Sequence, residues 1–106
     1  MKILITGGTG FIGARLIESL VSDYAMDIKV LIHGTATGIG SFRAARFGVE
    51  FVNCSLFETE KLIKALDGCS IVIHCAYGSH GDARQQRRVT VDGTKSLMNA
   101  VAVSSV

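Results

Sequence analysis

The sequence predicts an α/β domain in which a parallel β-sheet is covered by helices on both faces. Short runs of β-branched and other apolar residues alternate with amphipathic segments, which is the pattern of consecutive βαβ units. The strand-like runs are apolar almost throughout, as expected of strands buried on both faces. A chain of 106 residues fits one domain with a single hydrophobic core. We therefore treat residues 1–106 as one unit.

The first half of the chain predicts three strands and two helices. The strands are expected at Lys2–Thr6, Ile28–His33 and Val49–Asn53, which are short runs rich in apolar and β-branched residues. A helix at Phe11–Val21 carries apolar residues along one face at helical spacing. A second, shorter helix is expected at about Ser41–Phe47, before a glycine that suits a helix C-terminus.

The second half predicts a helix at Glu58–Leu66, a fourth strand at Ile71–Ala76 and a glycine-rich loop at Tyr77–Asp82. One last helix follows, and we expect Val101–Val106 to continue it. Right-handed crossovers between parallel strands give the strand order 3-2-1-4. These four strands resemble the first part of a larger parallel sheet that is truncated before its later strands. Strand four becomes an edge that invites pairing with another chain, so self-association is expected.

A glycine-rich turn joins the first strand to the first helix. Residues 6–13 are Thr-Gly-Gly-Thr-Gly-Phe-Ile-Gly. Gly7 permits a tight turn, Gly10 leaves the backbone open to a pyrophosphate, and Gly13 lets the helix pack close to the strand. The N–H groups and the dipole at the helix N-terminus attract phosphate. The sequence therefore predicts a Rossmann-type three-layer domain that binds a dinucleotide. The alternative is a glycine-rich turn that binds nothing.

Three motifs in this order resemble the extended short-chain dehydrogenase/reductases, also called the NAD-dependent epimerase/dehydratase family. They are the glycine-rich turn, the segment Ala65–Ala76 with the fourth strand, and Val89–Thr94 in the following helix. The resemblance covers the whole chain and implies that it binds NAD(H) or NADP(H). Thr90 stands where many family members have Asn, and its hydroxyl could support the loop after strand four.

The end of strand two bears on the choice between NAD and NADP. An NAD site usually has Asp or Glu there, which binds the ribose 2′-OH and repels a 2′-phosphate. This sequence has His33 at that position, and no acidic residue occurs between residues 28 and 49. Arg43 and Arg46 follow, and arginine pairs readily with phosphate. NADP(H) is therefore slightly favoured over NAD(H). The alternative is that both arginines are solvated surface charges.

The resemblance also implies cofactor contacts further along the chain. Ser55, followed by Leu56, stands where the family often has an Asp that touches the adenine edge. The segment Cys75–Tyr77 lies at the carboxyl end of strand four, where ligands bind in open α/β sheets. The predicted cofactor-binding residues are Gly7, Gly10, Phe11, Ile12, Gly13, His33, Arg43, Ser55, Leu56, Cys75, Ala76 and Tyr77.

The resemblance implies hydride transfer at the nicotinamide, with a Tyr as general acid/base and a Lys four residues later. The two tyrosines, Tyr24 and Tyr77, are followed four residues later by Ile28 and Gly81. We therefore predict no catalytic residue in this chain. It is interpreted as the NAD(P)-binding portion of an oxidoreductase or epimerase/dehydratase that acts on a small-molecule substrate. The alternatives are a non-catalytic NADP(H)-sensing regulatory module and an inactive fragment.

Composition argues against other function classes. A net charge of +2 without a basic run interleaved with aromatics gives no indication of nucleic-acid binding. No segment approaches the ~20 apolar residues of a membrane span, and no signal peptide is recognisable. Three cysteines without a CxxC pair favour reduced thiols and a cytoplasmic location. His74 and Cys75 are too few ligands for a metal site, so none is predicted.

Overall fold

A computed structural model describes residues 1–24, 26–33 and 48–106. Four strands form one parallel sheet, with β1 at Lys2–Thr6, β2 at Asp27–Ile32, β3 at Glu50–Asn53 and β4 at Ile71–His74. The order across the sheet is β3-β2-β1-β4, which confirms the predicted order 3-2-1-4. All four strands end at the same edge because they are parallel, and the residues that follow them meet there.

Helices cover both faces of the sheet. The long helix α1 at Phe11–Tyr24 lies on one face, and α2 at Thr59–Leu66 lies on the other. The last part of the described chain is continuous and helical. It begins with α3 at Ala83–Arg87, passes through a π-helical turn at Arg88–Asp92 and ends with α4 at Gly93–Ala102. The three-layer α/β architecture is confirmed.

Two apolar clusters hold the layers together, one on each face of the sheet. On the α1 face, Ile17 is fully buried against strand residues that include Ile5 and Val30. On the opposite face, Leu62, Leu66 and other α2 residues pack with α4 against β1 and β2. This cluster contains Leu4, Leu31, Cys54, Leu62, Ala65, Leu66, Cys69, Leu97 and Ala100. Burial on both faces explains why the strands carry near-continuous apolar sequence.

A buried lysine ties β2 to α2. Lys29 is only 8% exposed, and its Nζ donates a hydrogen bond of 2.9 Å to the carbonyl oxygen of Ala65. Because this carbonyl lies in the last turn of α2, where helix carbonyls lack intrahelical partners, it is a suitable acceptor for a cation. The one buried charged residue of β2 therefore anchors the end of a helix.

The structure differs from the predicted boundaries at the ends of elements. His33 lies beyond β2, and Cys75 and Ala76 lie beyond β4. The predicted helix at Ser41–Phe47 falls outside the described residues. The prediction that Val101–Val106 continues the last helix is wrong, because α4 ends at Ala102. The backbone N–H and the hydroxyl of Ser104 both donate to the carbonyl of Val101, at 3.1 and 2.8 Å, which replaces the next helical turn.

Candidate functional site

A cleft of about 710 Å³ opens at the carboxyl ends of β1 and β4. Its volume lies in the range of about 300–1,000 Å³ that is common for small-molecule sites. Its walls come from the glycine-rich turn, the start of α1 and the loop after β4. The lining residues are Gly7, Thr9, Gly10, Phe11, Ile12, Gly13, His74, Cys75, Ala76, Tyr77, Ser79 and His80. Eight of the twelve predicted cofactor-binding residues are among them.

Gly7 brings the turn against the segment that follows β4. Its φ angle is +69°, in the region that side-chain-bearing residues rarely adopt. A Cβ atom at this position would lie 2.6 Å from the backbone nitrogen of Ala76 and from the carbonyl carbon of Cys75. Both the backbone angle and the contact therefore require glycine, and they fix the distance between the two walls of the cleft.

Gly13 packs against the turn that precedes its own helix. A Cβ atom here would overlap the carbonyl oxygen of Gly7 and lie 2.8 Å from the Cα of Gly8. Gly13 therefore lets α1 approach the backbone of the turn that follows β1. Gly10 is much less confined, since a Cβ atom would meet only the oxygen of Gly7, at 3.4 Å. The open position is the one at which the sequence predicts that a phosphate approaches.

Exposed apolar side chains border the cleft. Phe11 is 80% exposed, Ile12 73% and Tyr77 69%. The guanidinium of Arg15 lies 5.4 Å from the centre of the Phe11 ring, which adds a cation to this border. Three large apolar groups in solvent beside a cleft indicate a surface that a ligand or another part of a protein covers.

Hydrogen bonds hold the floor of the cleft, and their central residue is His74, which the sequence suggested only as a rejected metal ligand and not as part of a hydrogen-bond set. The Thr6 hydroxyl accepts from the backbone N–H groups of Cys75 and Ala76, at 3.1 and 3.2 Å. The His74 ring lies between the hydroxyls of Thr6 and Thr94, 2.5 and 2.9 Å from them. Burial lowers the pKa of His74 from its usual value. A polar side chain ending a buried strand was the available signal.

The loop after β4 is supported as the sequence predicts. The N–H of Gly78 donates to the hydroxyl of Thr90, 2.8 Å away in the π-helical turn. π-helical turns occur often at functional sites, and this one faces the loop that carries Tyr77, Ser79 and His80. The hydroxyl of Thr90 thus holds one wall of the cleft in place.

Three residues predicted to contact the adenosine, His33, Ser55 and Leu56, do not line this cleft. His33 is exposed, just beyond the end of β2. The Ser55 hydroxyl accepts from the N–H of Phe57 at 3.2 Å, so it is engaged in its own turn. Leu56 packs against Gly93 at the start of α4. Arg43 and Arg46 fall outside the described residues.

An acidic residue that the sequence analysis overlooked stands on the adenosine side. The Glu58 carboxylate accepts from the N–H of Ser55 at 2.9 Å and pairs with Lys61 at 2.9 Å. These two partners lower the pKa of Glu58, and the positive field of His33 contributes further. Glu58 is therefore ionised at neutral pH, with its charge directed to local partners.

Neither a cluster of metal ligands nor a membrane-spanning helix is found among the described residues. In residues 1–24, 26–33 and 48–106, no three His, Cys, Asp or Glu side chains come together as metal ligands would. None of the helices in those ranges has the length and apolar character needed to cross a membrane.

The sequence model of the 3-beta hydroxysteroid dehydrogenase/isomerase family matches residues 4–106. The chain belongs to this family. One relative is the sterol-4-alpha-carboxylate 3-dehydrogenase, decarboxylating, of Dictyostelium discoideum, which is 30% identical over 98% of this chain and 31% of its own length. Another is the 3 beta-hydroxysteroid dehydrogenase/Delta 5-->4-isomerase of Vaccinia virus (strain Copenhagen), 28% identical over 91% of this chain and 29% of its own length.

Solved structures agree with the family assignment. The dTDP-glucose 4,6-dehydratase DesIV from Streptomyces venezuelae, crystallised with NAD and TYD, superposes with a TM-score of 0.85 at 27% identity. The match covers 100% of this chain and 37% of that one. A UDP-glucose 4-epimerase gives a TM-score of 0.80 at 25% identity, over 96% of this chain and 32% of that one. The resemblance to epimerase/dehydratase-type enzymes and the Rossmann fold are thus confirmed. The chain spans about a third of the length of these relatives.

Proposed function

We propose that residues 1–106 form the nicotinamide-dinucleotide-binding portion of an NAD(P)-dependent oxidoreductase or epimerase/dehydratase. The observation that carries the proposal is the backbone cradle between the glycine-rich turn and the residues after β4. Gly7 and Gly13 leave no room for a Cβ atom there, whereas Gly10 faces the open cleft. Side-chain-free backbone beside a helix N-terminus is the arrangement that accepts a pyrophosphate.

The described residues fit such a ligand. The first turn of α1, from Phe11 to Gly13, lines the cleft, so the positive end of the helix dipole faces it. The loop from Cys75 to Tyr77 forms the opposite wall, at the carboxyl end of β4. A nicotinamide dinucleotide supplies hydride chemistry when bound. The role of residues 1–106 is to hold and orient the dinucleotide. We assign no catalytic residue to these 106 residues.

For the nucleotide, we propose NADP(H) with NAD(H) as the second choice. His33 follows β2 where an NAD site usually carries an acidic residue. Glu58 is the acidic group on this side, and its carboxylate already has partners in Ser55 and Lys61. Arg43 and Arg46 are the cations that the sequence supplies for a 2′-phosphate.

The test is a titration of the protein with NADPH and with NADH, followed by nucleotide fluorescence and by calorimetry. We expect saturable binding of both, tighter for NADPH, and competition by ADP-ribose, which shares the pyrophosphate. No binding of either nucleotide at millimolar concentration would overturn the proposal. Equal or tighter binding of NADH would leave the site but overturn the NADP(H) preference.

For the whole protein, we propose redox chemistry at an alcohol or carbonyl centre of a small molecule. The support is family membership, with sequence relatives named for sterols and steroids and structural relatives named for sugar nucleotides. The second candidate is a non-catalytic NADP(H)-sensing module, favoured by the lack of a Tyr-x-x-x-Lys pair within residues 1–106. The mass of the natural product separates them. About three times 11.3 kDa supports the enzyme, and a mass near 11.3 kDa supports the module.

We also propose that the 106-residue chain associates with itself through β4 and works in the cytoplasm. Among the described strands, β4 pairs only with β1, so its other edge offers unpaired backbone groups, and Ile71 is 39% exposed. Size-exclusion chromatography over a range of concentrations tests the association, which a stable monomer at high concentration would contradict. Cell fractionation tests the location.

A further inference from the structure

A continuous set of hydrogen bonds crosses the cleft floor from the glycine-rich turn to the π-helical turn. Thr6, the residue before Gly7, accepts from two backbone N–H groups beyond β4 and contacts His74 Nδ1 at 2.5 Å. On the other side of the ring, Nε2 lies 2.9 Å from the Thr94 hydroxyl. The Thr94 hydroxyl in turn donates to the carbonyl of Thr90 at 2.6 Å. The residue before the glycine-rich turn, the end of β4 and the π-helical turn are therefore joined through one imidazole.

The directions of these bonds follow from counting protons and lone pairs. A threonine hydroxyl has one proton and two lone pairs. The Thr94 hydroxyl gives its proton to the carbonyl of Thr90, so its oxygen accepts from His74 Nε2. The Thr6 hydroxyl accepts from the N–H groups of Cys75 and Ala76, of which the Cys75 N–H is shared with the Thr6 carbonyl oxygen at 3.0 Å, and its own proton goes to His74 Nδ1. Nδ1 is then an acceptor, and the ring carries its proton on Nε2, which donates to Thr94. Only the neutral Nε2–H tautomer satisfies every group in this set.

A protonated ring would break the set at Thr6. An Nδ1–H would then face the Thr6 hydroxyl, whose own proton would lose its acceptor, and Thr6 is only 1% exposed, so water cannot replace the lost bond. Burial is also what lowers the pKa of His74. The groups that face the ring from β1 and α4 are the hydroxyls of Thr6 and Thr94. The titratable side chains that share the cleft with it are Cys75, Tyr77 and His80.

We propose that Thr6 and His74 are positioning residues for the dinucleotide, and that binding requires His74 to be uncharged. Neutral His74 orients the Thr6 hydroxyl, and Thr6 holds the backbone of Cys75 and Ala76 against the glycine-rich turn. The inference rests on the proposed function and adds a pH dependence to it. A charged ring turns the Thr6 hydroxyl away, so that Ala76 loses its bond to Thr6 and Cys75 keeps only its bond to the Thr6 carbonyl oxygen.

The sign of the pH effect follows from proton linkage. Because the folded protein holds a proton on His74 less readily than an unfolded chain does, stability contributed by the neutral ring is complete above the ordinary pKa of about 6.5. That stability is lost as the pH falls through the lower pKa of the folded state. If the complex requires the neutral ring, affinity is constant at high pH. Below the His74 pKa it falls, by at most about tenfold per pH unit for one proton.

The experiment measures NAD⁺ affinity by calorimetry from about pH 8 to about pH 5, on both sides of the ordinary histidine pKa. NAD⁺ is chosen because the extra phosphate of NADP⁺ is a monoester that itself titrates near about pH 6. Circular dichroism at each pH verifies that the protein remains folded. We expect His74→Asn to bind more weakly at pH 8 and to lack the acid decline. His80→Asn, which alters another histidine of the same cleft, keeps the decline.

A second pair of variants leaves the histidine in place. Thr94→Ser keeps the hydroxyl that accepts from Nε2, and Thr94→Val removes it at nearly constant volume. We expect Thr94→Ser to retain the wild-type pH profile and Thr94→Val to weaken NAD⁺ binding at pH 8 about tenfold, the equivalent of ~1.4 kcal/mol. Ring ¹⁵N chemical shifts from NMR read the tautomer without any nucleotide, and we expect the proton of His74 on Nε2.

The outcomes separate the inference from the proposed function. Binding of neither NAD⁺ nor NADPH by the wild-type protein at pH 8 would overturn the proposed function and this inference with it. Binding at pH 8 that does not weaken in acid, or a His74 proton on Nδ1, would overturn the inference alone. Acid weakening that persists in His74→Asn would assign the titration to another group and overturn it equally.

Discussion

The two ends of the predicted dinucleotide site are built differently. The pyrophosphate end, between β1 and β4, depends on backbone contacts that exclude a Cβ atom at Gly7 and Gly13. The adenosine end, beyond β2 and β3, depends on side chains: His33 is exposed, and the Ser55 hydroxyl is engaged by its own turn. The first end tolerates no substitution at its two confined glycines. The second offers groups that can be exchanged without moving the backbone.

This difference divides affinity from specificity. Backbone N–H groups and a helix dipole bind any pyrophosphate, so we expect the end that contains Gly7 and Gly13 to contribute affinity common to NAD and NADP. The two nucleotides differ only at the ribose 2′ position, which the family pattern places at the end of β2. Substitutions at the pyrophosphate end should therefore weaken the binding of both nucleotides alike, whereas substitutions at the adenosine end should change the preference between NAD and NADP.

The largest effect is expected from Gly13→Ala. The added Cβ overlaps the Gly7 carbonyl and lies 2.8 Å from Gly8 Cα, and overpacking of this kind costs about 1–3 kcal/mol. We expect that loss of stability in urea unfolding, and NADH and NADPH binding weakened alike by about ten- to a hundredfold. Gly10→Ala is the matched control for stability alone, since its Cβ has only one neighbour, at 3.4 Å. Equal destabilisation by the two substitutions would contradict the assigned steric difference.

The next effect contrasts a cysteine at each end. Cys54, after β3, is 3% exposed, and burial raises its pKa, so its thiol remains protonated at neutral pH. Cys75 lines the cleft. We expect iodoacetamide to modify Cys75 at least about tenfold faster than Cys54 at neutral pH, as followed by peptide mass spectrometry. Bound nucleotide should protect Cys75 only. Similar rates at both residues, or protection of neither, would contradict the placement of the cleft.

A change of specificity without loss of affinity is expected from His33→Asp. A carboxylate at the end of β2 accepts from a ribose 2′-OH and repels a 2′-phosphate. Hydrogen bonds to charged groups are worth about 1.5–3 kcal/mol. We expect NADPH binding to weaken about tenfold and NADH binding to be retained or strengthened, measured by fluorescence titration. His33→Asn has the same shape without the charge and should change neither nucleotide by more than about twofold. Parallel losses for both nucleotides would contradict the division between the two ends.

The same division explains how much could be predicted from the sequence. The strand order and the glycine-rich turn were predictable, because crossover handedness and the lack of room for Cβ atoms leave few alternatives. The hydrogen-bond set through His74 was not, because it joins residues 68 positions apart along the chain. The contact of Gly13 with the backbone of Gly7 and Gly8 was not predicted either, because residues spaced along one helix do not reveal that the helix folds back onto the turn before it.

The end of the last helix illustrates the same limit on a smaller scale. Helical spacing of apolar residues continues to Val101, and nothing in that spacing marks a stop. The stop comes from Ser104, whose side chain competes for the carbonyl of Val101. Serine favours such local bonds but does not require them, so composition alone predicted a continued helix.

The smallest effect is expected at the adenosine end, from Ser55→Ala. The substitution removes the hydroxyl that accepts from the N–H of Phe57 and leaves the bond from the Ser55 N–H to Glu58 in place. One lost hydrogen bond in a partly exposed turn should lower the free energy of unfolding by about 1 kcal/mol, measured in urea. Ser70→Ala is the control, since within the described ranges the Ser70 hydroxyl makes no hydrogen bond while its backbone N–H still donates to Lys2. Because Ser55 acts in its own turn, NADPH binding by the folded variant should change less than about twofold. A loss of tenfold or more would instead assign the Ser55 hydroxyl to the nucleotide and make the adenosine end as sensitive as the pyrophosphate end.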